Sequence, residues 1–143
     1  MNRLQKIALL NLSLATVGLF LQLLHFLISN LSIKLIASVI SLVLCCIVTV
    51  LYLHRSKLAM QGTSQYDERD KSIHKTAALA GYVTAFVIFF STILIVFLTI
   101  GPGGSVDIGD LLTIFLLSAM GLFFAESIAV LIQYGWGGKD GEK

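Results

Sequence analysis

The chain has 143 residues, of which 57% are hydrophobic and 13% charged, with a net charge of +2 and a mean hydropathy of +0.91. Soluble domains carry roughly 25% charged residues, so this chain has too little polar surface to coat a water-soluble core. The small net charge argues against an extended nucleic-acid surface, and no nucleic-acid partner is expected.

Four runs reach the roughly 20 apolar residues that a spanning helix needs. They cover about 7–28, 35–54, 76–100 and 111–134. Period-two alternation is absent, which argues against barrel strands. The expected fold is all-α: a single integral-membrane four-helix bundle over 1–143. The first run is longer than the usual apolar region of a signal peptide and lacks a small-x-small cleavage site, so it is expected to be retained.

The second run contains Cys45 and Cys46. Adjacent cysteines match neither a metal-ligand nor a C-x-x-C spacing. Small apolar packing residues are the simpler reading.

The basic residues give the orientation. Arg3 and Lys6 precede the first run, Arg55, Lys57, Arg69, Lys71 and Lys75 lie between the second and third, and Lys139 and Lys143 follow the fourth. Only Lys34 belongs to the opposite side. Positive residues are retained on the cytoplasmic side, so both termini and the 55–75 segment are expected there, in a multi-pass protein of the cell membrane. The loop "GPGGSVD" (101–107) holds the only proline and should end the third helix. Asp107 can cap the fourth helix, and Asp110 suits the positive end of its dipole.

The densest charge lies in "YDERDKSIHK": six of the ten residues 66–75 are Asp67, Glu68, Arg69, Asp70, Lys71 and Lys75. Ser64 followed by Asp67 resembles a capping box, which predicts that the third helix starts near Ser64 to Asp67. Asp67–Lys71 and Asp70–His74 have i,i+4 spacing, and Lys71 and Lys75 can snorkel toward headgroups. Such a segment can be a solvated anchor for the third helix. Its functional reading is a partner-docking patch made of Asp67, Glu68, Arg69, Asp70 and Ile73.

These residues also resemble the DER-x-x-x-I-x-x-K-A signature of small four-helix bacterial and archaeal membrane proteins of unknown function, in which the motif lies between the second and third spans. Asp67, Glu68, Arg69 and Ile73 match. The lysine is displaced, since this chain has Lys75 followed by Thr76. The resemblance implies the same architecture and no established activity; such proteins look like companions of regulators or peptide-export systems.

Glu126 is the one acid in the middle of a run. It lies eight residues from Tyr134, roughly 12 Å along a helix, with no lysine or arginine expected at that depth. It should face the bundle, protonated or hydrogen-bonded. Depth counting makes Asn11, Tyr82 and Thr84 its expected polar companions. Small-residue stripes at Ala77, Gly81 and Ala85, and at Gly121, Ala125 and Ala129, should mark close helix contacts; they can serve the third–fourth pair or a second copy of the chain.

No catalytic constellation, metal-ligand set or cofactor motif emerges, so a non-enzymatic role is expected. His25, His54 and His74 are read as interfacial or exposed rather than as a bis-histidine haem pair. The reading is an accessory, regulatory or immunity-type protein that docks a partner through its charged segment. The alternative is an oligomeric small transporter coupled to protons or cations through Glu126.

Overall fold

A computed structural model describes residues 3–28, 31–60, 68–101 and 104–136. Four helices account for nearly all of them: α1 (Arg3–Leu27), α2 (Leu31–Met60), α3 (Glu68–Ile100) and α4 (Ile108–Trp136). All four are long and apolar enough to cross a membrane. α2 and α3 extend beyond the apolar runs read from the sequence, each carrying charged residues on its added turns. The described part of α3 begins at Glu68, and Ser64, Tyr66 and Asp67 lie outside the described residues.

The helices run up and down, joined by short connections. α4 is the hub: it packs along α3 and α1 and also touches α2, while α2 and α3 meet over a much smaller area and the backbones of α1 and α3 stay apart among the described residues. α1 joins this arrangement through one stripe. Its buried residues are Leu4, Ala8, Asn11, Ala15, Gly18, Gln22 and His25, at alternating intervals of four and three. That interval keeps one helical face on a neighbour over the full length of the helix. Mostly small or polar members let backbones approach closely, the usual way apolar helices associate in lipid. On α2 the buried positions Ala37, Ser41, Val48 and Arg55 follow intervals of four and seven, which is the same seam.

Two apolar clusters fill the bundle. Ala15, Val48, Met120 and Phe123 form the middle one. Ala8, Ala77 and Val130 form one nearer the ends of α1 and α4 that carry the chain termini. The buried residues of α3 all lie in its first half. It buries Asp70, Ile73, His74, Ala77 and Gly81, and nothing beyond Gly81.

The small-residue stripes serve the α3–α4 pair. A Cβ on Gly81 would stand 2.9 Å from the Leu122 carbonyl oxygen and 3.0 Å from Glu126 Cβ, so only glycine fits without a shift. At Gly121 the corresponding neighbour is the Ile88 side chain of α3. α3 ends at Gly101, whose φ of +79° and N–H bond to the Phe97 carbonyl at 2.9 Å make a left-handed helix stop. α4 opens where expected: the Asp107 carbonyl accepts the N–H groups of Asp110 and Leu111 at 3.1 and 3.2 Å.

Candidate functional site

Glu126 is fully buried and faces the bundle, as a carboxyl group in an apolar helix must unless it is left without polar partners. Its placement begins with Gly81, whose missing side chain lets α3 settle against the backbone one turn before Glu126. The carboxylate then meets α2 and α3 together. Arg55 Nη2 pairs with Glu126 Oε1, and both side chains are sealed from solvent. His74 Nδ1 lies 3.7 Å from the same oxygen. Tyr52, one turn before Arg55, completes the group: its ring centre is 5.7 Å from that of His74 and 5.8 Å from the Arg55 guanidinium carbon.

Beside this cluster, Tyr134 donates a hydrogen bond to Asp70 Oδ1 at 2.5 Å. Leu4, Arg55, Asp70, Ile73, His74, Val130 and Tyr134 surround a void of about 10 Å³. A cavity that small admits one water molecule at most. The site is thus a polar knot in which α2, α3 and α4 are tied through charged and aromatic side chains.

Several sequence readings change here. An arginine does reach the depth of Glu126. Arg55 follows the end of the apolar run at His54, yet α2 continues through it and its flexible stem brings the charge inward. The heptad spacing from Ser41 through Val48 to Arg55 was the available signal. His74 is not exposed but buried. Asp70 and His74 share one helical face, as their spacing implies, but each reaches across to α4.

Of the expected companions of Glu126, Tyr82 and Thr84 turn elsewhere. Tyr82 is 57% exposed and lines an apolar groove between α3 and α4 with Phe86 and Phe115. It follows Gly81 directly, so it points about 100° round the helix from the contact face. Thr84 spends its hydroxyl on the Ala80 carbonyl of its own helix at 2.9 Å. Asn11 is fully buried, but its amide forms no hydrogen bond among the described residues, and neither does the Ser127 hydroxyl.

The charged segment divides into two faces. Glu68, Arg69, Lys71, Ser72 and Lys75 are exposed, whereas Asp70, Ile73 and His74 are buried. Asp70 and Ile73 therefore belong to the interior knot and not to an outward docking patch. Asp67 lies outside the described residues. Cys45 packs against the middle cluster, Cys46 is exposed, and both are free thiols. Among the described residues no group of His, Cys, Asp and Glu could hold a metal ion.

At the opposite end of the bundle, His25 Nδ1 lies 3.2 Å from Ser38 Oγ, and its Nε2 lies 3.9 Å from Asp110 Oδ1. The chain matches no family model, no curated protein and no solved structure.

Proposed function

We propose that the chain is a multi-pass membrane protein with both termini cytoplasmic, and that it acts as a non-enzymatic accessory, regulatory or immunity-type protein that docks a partner on the exposed face of the first turns of α3. The observation that carries this reading is the two-faced segment 68–75. Its inner face is fixed to α4 by Asp70 and His74. Its outer face holds Glu68, Arg69, Lys71 and Lys75 on the same rigid helix. A pre-ordered charged face costs a partner less ordering entropy than a loose loop would. Three bases against one acid favour an acidic surface on that partner. The nine-to-one distribution of basic residues supports the cytoplasmic placement.

The test is site-specific photo-crosslinking in native membranes, from a probe at the exposed Ser72. A single protein adduct that disappears in the Arg69→Glu, Lys71→Glu variant is expected. Adducts to lipid alone, or a protein adduct indifferent to both charge reversals, would reject the docking role.

A second reading, a proton- or cation-coupled oligomeric transporter, draws support from one feature: a fully buried glutamate with His74 beside it. Buried intramembrane acids commonly mark transport paths. The pairing with Arg55 and the single-water void beside it speak for a structural role instead. Proton flux into liposomes that contain the purified protein, abolished by Glu126→Gln in protein that still unfolds cooperatively, would favour transport.

A further inference from the structure

At the end of the bundle away from the termini, α1, α2 and α4 enclose a cleft of about 360 Å³, within the roughly 300–1,000 Å³ range of small-ligand sites. No residue of α3 is among those that line it.

The lining separates by chemistry. Lys34 of α2 supplies a cation, and Asp107 and Asp110 at the start of α4 supply two carboxylates. His25 and Ser38 form the polar wall and are held to each other, with the His25 ring also turned to Asp110. The remaining wall is aliphatic. Leu35, Val39 and Leu42 line the cleft and are 62%, 52% and 44% exposed. Their i, i+4, i+7 spacing forms one continuous stripe that leads along α2 toward the middle of the helix.

We infer that this cleft binds a phospholipid whose headgroup carries a phosphate and a primary ammonium, of the phosphatidylethanolamine class. The assignment rests on the membrane-spanning reading above but not on the docking reading. The ammonium faces Asp107 and Asp110 and donates up to three charge-assisted hydrogen bonds. The phosphate faces Lys34. An acyl chain lies on the Leu35–Val39–Leu42 stripe.

The same lining argues against the commoner alternatives. A quaternary choline headgroup is recognised by the faces of Trp, Tyr or Phe, and none of these is among the residues that line the cleft. A headgroup of phosphate and glycerol would offer Lys34 its phosphate but bring the two carboxylates only neutral hydroxyl donors and no cation.

The decisive experiment is native mass spectrometry of the full chain released from nanodiscs containing equal amounts of phosphatidylethanolamine, its mono- and dimethylated forms, phosphatidylcholine and phosphatidylglycerol. Retention should fall with each added methyl group. The unmethylated lipid should exceed phosphatidylcholine by about tenfold, the worth of one charge-assisted hydrogen bond. Asp107→Asn, on an exposed side chain, should weaken that preference, and Lys34→Ala should lower retention of every phospholipid.

Equal retention across the methylation series would overturn the assignment, and needs no variant to fold. A preference that survives Asp107→Asn together with Asp110→Asn in a folded protein would overturn it as well. Soluble glycerophosphoethanolamine should not displace the lipid; displacement at equal concentration would remove the aliphatic stripe from the site and with it the lipid assignment. Alkaline extraction of the protein from cell membranes would sink the membrane reading itself. Retention in the bilayer without headgroup preference would sink only the lipid site.

Discussion

Arg55 of α2 and Glu126 of α4 form an ion pair in which neither side chain has appreciable solvent exposure. Taking two charges out of water is costly, and their attraction offsets that cost only when the pair is intact. Removing one partner leaves the other stranded. Arg55→Met or Glu126→Leu alone should therefore lower stability by about 3–5 kcal/mol, and the double replacement should recover most of it. Thermal unfolding of the four proteins in one detergent measures this as a double-mutant cycle. Additive losses would mean the pair is not coupled. Glu126→Gln should also destabilise clearly, since glutamine keeps the shape but leaves the Arg55 charge unbalanced.

Gly81 should tolerate no side chain. Gly81→Ala places a methyl group against a backbone carbonyl at 2.9 Å, and overpacking of this kind costs about 1–3 kcal/mol. Gly135 is the control, because a Cβ there meets nothing within 4 Å. Gly135→Ala should be neutral or slightly stabilising, by up to about 1 kcal/mol from helix propensity. Equal effects at the two glycines in a thermal melt would contradict the close α3–α4 contact.

Tyr134→Phe removes the hydroxyl that donates to Asp70 and leaves a buried carboxylate one donor short, at a cost of about 1–3 kcal/mol. The loss is local to the start of α3. Hydrogen exchange of amides 69–75 should quicken, while amides in the middle of α4 keep their protection. Unchanged exchange at the start of α3 would show that the Tyr134–Asp70 bond does not hold it.

The orientation is testable on two exposed serines. With Cys45 and Cys46 replaced by alanine, Ser105→Cys should react with a membrane-impermeant thiol reagent in intact cells. Ser72→Cys should react only after permeabilisation. The reverse pattern would invert the topology.

Hydropathy was enough to read four long helices, because their apolar runs are uninterrupted. It misplaced the polar interior for an equally physical reason. Depth counting treats a charged residue beyond an apolar run as a loop anchor, but α2 carries Arg55 on its inward seam. The α1 seam from Leu4 to His25 was visible in its four–three spacing. The small-residue stripes were legible as contact faces, although which helix they meet depends on the whole bundle. The two faces of 68–75 were less legible: six charges within ten residues look uniformly solvated until Asp70 finds Tyr134. Tyr82 illustrates the converse error, since a polar tip at the right depth does not face inward when its neighbour Gly81 occupies the contact position.

The central claim is that the two faces of α3's first turns have separate tasks, the inner one holding the bundle and the outer one receiving a partner. Adduct yield from the Ser72 photo-crosslinker tests it most directly, compared between the Arg69→Glu, Lys71→Glu protein and the paired Arg55→Met, Glu126→Leu protein at equal membrane abundance. The account predicts that the adduct is lost in the first and kept in the second. An adduct that survives the surface charge reversals but vanishes when the buried pair is replaced would contradict it.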